Sequence, residues 1–246
     1  MGSRFVSAGT SDAGNVRGNN EDRVYIDADR GIYLVVDGMG GQAAGEEAAD
    51  IAVKTVKGRL ERPTEGAEQR VREAIALANN AIFEAASNNS AWHGMACVLT
   101  LALIEDGHAV VGHVGDSRAY QIRRGKIEKI TRDHSPVGER EDAGELSEEA
   151  AMRHPRRNEV FRDVGSYPHN PDDPRFIEIQ QFPFRPDAAL LLCSDGLWNY
   201  APTVDELSAL VRQEISETPL ATANRLVQFA IGKGGKDNIT AILLAL

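Results

Sequence analysis

The sequence has little cysteine, no long apolar run and a shortage of basic residues. Its two cysteines, Cys97 and Cys193, both lie in apolar stretches, so they are interpreted as reduced core thiols rather than a disulfide framework. No apolar run approaches the roughly 18 residues of a membrane span. The N-terminus also lacks the basic-then-apolar pattern of a secretory signal. The sequence therefore predicts a cytoplasmic protein without a membrane partner.

The shortage of basic residues restricts the class of partner. The chain has 27 lysines and arginines against 37 aspartates and glutamates, which gives a formal net charge of -10. A general nucleic-acid-binding protein needs a basic face, so no nucleic-acid partner is expected. The length of 246 residues suits one large domain or two small ones, and either can bury a substantial core.

What the chain does contain is a set of aspartates beside apolar runs. The run 32–36 leads to Asp37 and then to three glycines, and its continuous β-branched character indicates a strand buried on both faces. The glycines allow a sharp turn and leave room for a metal ion or phosphate to approach the carboxylate. A lone Asp-Gly pair indicates only a turn. Here Asp116 and Asp195 also follow apolar runs, and Asp237 adds a fourth aspartate.

Hydrophobic periodicity and turn signals predict strands and helices in blocks. The predicted strands are 5–8, 24–28, 32–36, 96–104, 108–114, 118–123, 126–130, 176–182, 188–193 and 239–246. The predicted helices are 45–60, 68–87, 204–215 and 220–231. The polar stretch from about 134 to 174, with short helical pieces around 147–153, is interpreted as an insertion or flap over a site. Blocks rather than strict alternation favour a layered α+β fold over a doubly wound parallel sheet.

Six short motifs occur in order along the chain. They are Val16-Arg17-x-x-Asn20-Glu21-Asp22, DGMGG at 37–41, GDSR at 115–118, DHS at 133–135, SDGLW at 194–198 and GGKDNIT at 234–240. With these motifs in this order and spacing, the chain resembles the metal-dependent protein phosphatases of type 2C in their short bacterial form. The resemblance covers nearly the whole chain, and the segment 154–158 also resembles the flap of bacterial members.

The resemblance implies a fold, a reaction and partners. The expected fold is a four-layer α-β-β-α sandwich of two antiparallel-type sheets flanked by helix pairs, with residues 1–246 as a single phosphatase domain. The metal site is expected at one edge of the sheets. The expected reaction is hydrolysis of phosphoserine and phosphothreonine on proteins by a water or hydroxide between two divalent ions. The partners are expected to be phosphorylated proteins and a serine/threonine kinase that the enzyme opposes, and the enzyme is expected to be a monomer.

The resemblance also implies a ligand set for two tightly bound ions. Asp37 is expected to bridge both ions, with the Gly38 carbonyl on one and the carboxylates of Asp195 and Asp237 on the other. Hard ions such as Mn²⁺ and Mg²⁺ prefer oxygen ligands, and a set without histidine or thiolate disfavours zinc. The expected cofactor is therefore Mn²⁺ or Mg²⁺.

Four further residues receive expected roles in the same way. Glu21 and Asp22 are expected to act mostly through metal-bound waters. Arg17 is expected to hold the phosphate oxygens, because its planar guanidinium suits them; an arginine outside such a motif is more often a surface salt-bridge partner. Asp116, with Asp195, is expected to hold a third, weaker ion. Its place between two strand-like runs is also typical of a hairpin turn in which an aspartate bonds backbone amides.

One position departs from the family pattern. Many members, eukaryotic ones especially, have a histidine where this chain has Met39, and that histidine is often assigned as general acid. Methionine cannot donate a proton, so the leaving group must be protonated by metal-bound water or another residue, for which His134 is a candidate. None of the expected metal ligands is missing, so an inactive relative is not expected.

Other polar residues near the motifs have structural interpretations. Asp12, Asp22 and Asp133 are all suited to capping turns or helices, and for Asp12 and Asp133 this interpretation is at least as strong as a role in chemistry. His113 lies in a strand-like run and is interpreted as a core histidine. Trp198 is interpreted as a packing residue.

Two other classes of protein are disfavoured. A cysteine-dependent phosphatase needs an arginine at a fixed spacing after its nucleophile, and the corresponding positions after Cys97 and Cys193 hold Leu103 and Asn199. A regulatory module of the same fold, which binds a phosphoprotein without hydrolysing it, has no need of the acids retained here. A metal-dependent assay on a phosphorylated aryl substrate separates enzyme from module.

Overall fold

Two five-stranded sheets pack face to face in the computed structural model, which describes residues 5–40, 44–201, 203–211 and 218–245. The strands are β1 (Val6–Asp12), β2 (Asp22–Asp27), β3 (Ile32–Met39), β4 (Ala96–Glu105), β5 (His108–Val114), β6 (Arg118–Arg123), β7 (Lys126–Lys129), β8 (Glu178–Pro183), β9 (Ala188–Cys193) and β10 (Ile239–Ala245). One sheet has the order β1-β10-β9-β6-β7 and the other the order β2-β3-β4-β5-β8. Neighbouring strands are antiparallel throughout the described residues.

Helices cover the outer face of each sheet. They are α1 (Ala44–Leu60), α2 (Ala67–Asn88), α3 (Pro136–Asp142), α4 (Glu148–Met152), α5 (Asp195–Trp198), α6 (Val204–Val211) and α7 (Pro219–Gly232), with a 3₁₀ turn at Ser90–Trp92. Helices α1 and α2 pack on the β3–β4–β5 side, and α5 and α7 pack on the sheet that contains β10. No helix in the described residues is long and apolar enough to cross a membrane.

Alternating side chains on the strands produce three apolar cores between the four layers. On β9, Leu190 and Leu192 lie in the core between the two sheets, whereas Leu191 and Cys193 pack on the side of α5 and α7. This is the period of two that a strand buried on both faces requires. The third core lies between the helices α1 and α2 and the sheet that contains β3, β4 and β5. The four-layer α-β-β-α sandwich predicted from the sequence is therefore confirmed, as are free, buried states for both cysteines.

Most predicted elements lie within two or three residues of their observed bounds. The strand predicted at 5–8 is longer, and it continues to Asp12. The helix predicted at 204–215 is observed as Val204–Val211, with 212–217 outside the described residues; Gly41 of the glycine run and Leu246 also lie outside them. The polar stretch between β7 and β8 contains α4 as predicted, but α3 was not predicted. It begins after Ser135, whose hydroxyl accepts a hydrogen bond from the amide of Gly138.

Candidate active site

Acidic residues from both sheets meet at one edge of the sandwich. Asp22, the first residue of β2, is the register partner of Asp37 near the end of β3, because an antiparallel hairpin places the start of one strand beside the end of the next. In the other sheet, Asp195 directly follows Ser194 after β9, and Asp237 lies just before β10. The strand ends predicted to present acids therefore do so at the same edge.

Asp22 joins the two sheets directly. Its Oδ2 atom accepts hydrogen bonds from Ser194 Oγ at 2.8 Å and from Thr240 Oγ1 at 2.6 Å. The Thr240 amide in turn donates to Ser194 Oγ at 3.0 Å. Asp22 is only 2% exposed, and its Oδ1 atom has no hydrogen-bond partner. Sequence reasoning assigned no role to either hydroxyl, although both belong to the recognised motifs.

Glu21 and Gly38, the neighbours in sequence of Asp22 and Asp37, also lie next to each other. The amide of Gly38 donates to the Glu21 carbonyl at 3.3 Å. A Cβ atom on Gly38 would lie 2.1 Å from the carbonyl oxygen of Gly45 in α1. A side chain is therefore excluded at Gly38 by the backbone of the first helix. The sequence interpretation, in which glycine leaves open space for an ion, does not explain this position.

Burial and mutual repulsion disfavour charge on these acids. Burial, followed by the neighbouring carboxylates of Asp22 and Asp195, raises the pKa of Asp37 well above its usual value. Burial likewise raises the pKa of Asp22 to about 7 and that of Asp195 to about 6. The pKa of Asp116 is also raised well above its usual value, by burial and then by Asp195. A cation placed among these groups reverses that penalty, because opposite charge favours the ionised form.

Arg17 reaches the same edge from the loop between β1 and β2. Its guanidinium NH2 atom lies 2.9 Å from Asp237 Oδ2, and the two side chains are 49% and 35% exposed. The loop is tied to the segment before β10 by the Asn15 amide, which donates to the Gly235 carbonyl at 2.7 Å. Arg17 is thus a partly exposed salt-bridge partner, but its partner is one of the predicted metal ligands.

Asp116 lies in the tight connection between β5 and β6, but these strands belong to different sheets, so the predicted hairpin is wrong and the turn is a crossover between the sheets. It is buried, and its carbonyl oxygen accepts a hydrogen bond from Trp198 Nε1 at 2.9 Å. Its carboxylate is close enough to Asp195 for that charge to raise its pKa. The position therefore combines a turn with membership of the acid cluster. Trp198 is buried as predicted, and it is also a hydrogen-bond donor.

Asp133 was interpreted as a cap, and that interpretation is wrong. Its carboxylate is buried and pairs with the buried guanidinium of Arg118, with Oδ2 2.6 Å from the NH2 atom. Arg118 also stacks on the Trp198 ring at 3.8 Å from the ring centroid. Asp12, by contrast, does cap a turn, because its Oδ1 accepts from the Gly14 amide at 2.8 Å.

His113 is a core histidine, as predicted. The ring is fully buried and bonds Thr100 Oγ1 through Nδ1 at 2.9 Å. Burial lowers the pKa of His113 to about 4, so the ring stays neutral. His134 is also buried, with its Nδ1 atom 3.0 Å from the Gly115 amide nitrogen.

The segment predicted as a flap reaches the site through a residue that was not singled out. Asn199 Nδ2 donates to Asp195 Oδ2 at 3.1 Å, and Arg157 NH1 donates to Asn199 Oδ1 at 2.8 Å. Arg157 belongs to the segment 154–158. The sequence offered one signal for this contact, because Asn199 directly follows the SDGLW motif.

The donor set fits hard divalent cations, although the side chains are not closed around one. Within the described part of the chain, no three acidic, histidine or cysteine side chains are arranged as a finished cation site. Asp237 is engaged by Arg17 and Asp195 by Asn199. The cluster nevertheless offers oxygen ligands only, an unpartnered buried oxygen on Asp22 and acids with raised pKa. These are properties that Mn²⁺ or Mg²⁺ would satisfy.

Comparisons with known proteins agree with this fold. The sequence model of the family described as Protein phosphatase 2C matches residues 14–229. The serine/threonine phosphatase stp of Listeria monocytogenes is 34% identical over 244 residues, which cover 95% of this chain and 93% of that protein. The chain belongs to the protein phosphatase 2C family.

Two solved structures resemble the whole chain. The crystal structure of the Mycobacterium tuberculosis serine/threonine phosphatase PstP/Ppp is 30% identical with a TM-score of 0.87, and 98% of each chain is covered. A structure of the PstP catalytic domain in complex with two manganese ions is 28% identical with a TM-score of 0.85, over 98% of this chain and 97% of that one.

Proposed function

We infer that the chain is a metal-dependent protein serine/threonine phosphatase, which hydrolyses phosphoserine and phosphothreonine in other proteins. The observation that supports this most is the meeting of Asp22, Asp37, Asp116 and Asp195 at one sheet edge, with raised pKa values, in a member of the protein phosphatase 2C family. Residues 1–246 act as a single domain and as a monomer. A serine/threonine kinase supplies the phosphorylated substrates.

Particular residues are proposed to hold the ions, Mn²⁺ or Mg²⁺. Asp37, the Gly38 carbonyl, Asp195 and Asp237 would hold two of these ions. Asp116, with Asp195, holds a third and weaker ion. Bound divalent ions lower the pKa of water toward about 7 and offset the charge of the phosphate. The chain contributes the fixed positions of these oxygens at the ends of packed strands.

Glu21 and Asp22 act through water. Both are buried beside Asp37, and the Oδ2 atom of Asp22 is already committed to Ser194 and Thr240. Its other oxygen is available to orient a water that fills the site. The Ser194 and Thr240 hydroxyls thus keep the Asp22 carboxylate in one orientation.

Arg17 binds the phosphate. Its guanidinium exchanges Asp237 for two phosphate oxygens when the substrate enters, because a planar guanidinium bonds a phosphate in two places. Met39 has no proton to give, so a water oriented by Asp116 protonates the departing serine or threonine oxygen.

Removal of divalent metal tests the proposed function as a whole. Hydrolysis of a phosphoserine peptide and of a phosphorylated aryl substrate is expected to require Mn²⁺ or Mg²⁺, and to stop after exhaustive chelation because the single guanidinium of Arg17 cannot replace two divalent charges. Phosphate release is measured before chelation, after it and after metal is restored. Activity that persists without metal contradicts the proposal, and phosphopeptide binding without turnover identifies a regulatory module instead.

Replacement of Arg17 by alanine tests phosphate binding separately. If the guanidinium holds the phosphate equally in the ground and transition states, Arg17→Ala raises KM more than it lowers kcat. Steady-state kinetics on a phosphoserine peptide measure the two constants. The matched control is Arg30→Ala, because Arg30 also forms a partly exposed ion pair with an aspartate, Asp27, at the opposite end of the hairpin. If KM is unchanged in Arg17→Ala, then Arg17 forms a surface salt bridge and does not bind the phosphate.

A further inference from the structure

Three hydrogen bonds hold the peptide groups of Gly115, the residue before Asp116. The Gly115 amide donates to His134 Nδ1 at 3.0 Å. The Gly115 carbonyl accepts from the His134 amide at 2.7 Å and from His113 Nε2 at 2.9 Å. One residue, His134, therefore bonds both the amide and the carbonyl of Gly115.

The backbone at Gly115 requires this support. Its φ of +108° belongs to the region that residues with side chains rarely adopt. A Cβ atom here would also lie 2.1 Å from Val98 Cγ1. A glycine loses more conformational freedom on folding than any other residue, so contacts from outside the turn must fix its geometry. The direction of the Asp116 side chain depends on that geometry.

A second contact holds the peptide group that follows Asp116. Its carbonyl accepts the hydrogen bond from Trp198 Nε1, and Trp198 lies at the end of α5, which begins at Asp195. The Asp116 backbone is thus fixed between His134 and the helix that carries its proposed partner at the third ion. Relaxation of either contact changes the separation of the two carboxylates.

The hydrogen bonds also define which ring nitrogen of His134 carries the proton. Because Nδ1 accepts from the Gly115 amide, the proton of the neutral ring lies on Nε2. Glu178 Oε2, 3.4 Å from Nε2, is its acceptor. The NH1 atom of Arg162 lies 3.1 Å from Nε2. It cannot donate a hydrogen bond to Nε2, because that nitrogen already carries the proton. Both ring nitrogens are directed at protein groups, so His134 is not placed to protonate a leaving group.

We propose that His134 is a positioning residue for the phosphatase reaction, which fixes the Asp116 carboxylate through the Gly115 peptide. The inference rests on the role proposed above for Asp116. It also gives each residue of the DHS motif a separate task, since Asp133 pairs with Arg118 and Ser135 caps α3. His134 connects the start of the flap to the acid cluster.

Two substitutions at His134 separate positioning from packing. His134→Leu fills the space but removes the acceptor for the Gly115 amide, so kcat is expected to fall by about 10- to 100-fold, the usual effect of losing a group one shell away from a metal. KM should stay within about twofold, because the phosphate contact of Arg17 is untouched. His134→Asn places an amide oxygen near the position of Nδ1 and is expected to recover most of kcat. His169→Leu is the matched control, because His169 stacks on Phe176 and does not bond Gly115; its kcat should be normal.

A double-mutant cycle with Asp116→Asn identifies the route of the effect. If His134 acts through Asp116, then adding His134→Leu to Asp116→Asn lowers kcat no further. Melting temperatures of all variants are measured alongside. If His134→Leu does not fold, it is replaced by His134→Gln, whose oxygen lies one bond farther out.

A normal kcat for His134→Leu, or full additivity with Asp116→Asn, overturns the inference while leaving the phosphatase assignment intact. A normal kcat for Asp116→Asn overturns the role of Asp116 and this inference together. Wild-type protein without metal-dependent turnover overturns the proposed function itself.

Discussion

Replacing Asp37 by asparagine is expected to lower turnover by about 100-fold or more and to weaken Mn²⁺ binding in parallel. The loss of a group one shell removed from a metal costs about 10- to 100-fold, and Asp37 is proposed as a direct ligand shared by two ions. Asparagine keeps the shape of the side chain but removes its charge. Calorimetric titration of Mn²⁺ and steady-state kinetics on a phosphoserine peptide measure the two effects.

The fold of Asp37→Asn is expected to persist. Burial and the nearby carboxylates, Asp22 first among them, raise the pKa of Asp37, which means that the folded protein disfavours its charge. The metal-free variant should therefore melt at the same temperature as metal-free wild type, or above it. Asp27→Asn is the matched control on the same hairpin, since Asp27 lies at its other end and pairs with Arg30; its turnover should be normal. Near-normal turnover of Asp37→Asn at modest metal concentration contradicts the ligand assignment.

Replacing Asp133 by asparagine is expected to destabilise the protein by about 3–5 kcal/mol, the usual cost of leaving one charge of a buried ion pair without its partner. Arg118 and Asp133 are both 5% exposed. Burial opposes ionisation of Asp133, but the positive charges of Arg118 and Lys129 outweigh it and hold its pKa below the usual value. Urea denaturation of the metal-free proteins measures the free energy of unfolding.

The pH dependence of that difference follows from the lowered pKa. A group whose pKa is depressed in the folded state contributes stability above its unfolded pKa, about 3.9 for aspartate, and loses it as the pH falls through the folded value. The difference in the free energy of unfolding between wild type and Asp133→Asn should therefore be largest near neutral pH. It should become smaller in acid, below about pH 4. A gap that widens in acid contradicts the ion-pair explanation.

Two further variants serve as controls for Asp133→Asn. Asp187→Asn makes the same chemical change in an exposed pair with Arg123, which solvent screens, so little change is expected. Adding Arg118→Met to Asp133→Asn removes the unpaired charge and should recover part of the lost stability. If Asp133→Asn costs no more than Asp187→Asn, the buried pair does not stabilise the fold as proposed.

Local patterns were sufficient to predict a layered α+β fold and acids at the ends of strands, and the resemblance to the type 2C phosphatases added the four-layer sandwich. The apolar run before Asp37 and the run before Asp195 each predict a buried strand with an acid at its end, and the structure has both. The glycine at Gly115 indicated a turn, and it has the backbone angle that favours glycine. Patterns of this kind are properties of a few consecutive residues.

Contacts between distant residues could not be predicted in this way. The partner of Asp133, which lies in the loop after β7, is Arg118 at the start of β6, and nothing in the spacing selects that arginine over its neighbours. The absence of a side chain at Gly38 is explained by the approach of Gly45, which depends on where α1 docks. The hydrogen bonds of Asp22 likewise depend on how two sheets meet. These features follow from tertiary packing and not from local preference.

The pairing of β1 with β10 joins segments that are far apart in the sequence of the sandwich. The strands β2 to β5 are close in sequence and supply Asp22 and Asp37, but Asp237 and Thr240 become available only with the segment that forms β10. A nascent polypeptide that has not yet exposed this segment at the ribosome lacks Asp237 and the Thr240 hydroxyl that bonds Asp22. With the ligand set proposed above, divalent ions would bind the completed sandwich in preference to such a partial chain and would stabilise it by mass action. Under that proposal, dephosphorylation begins only after the β10 segment has been synthesised.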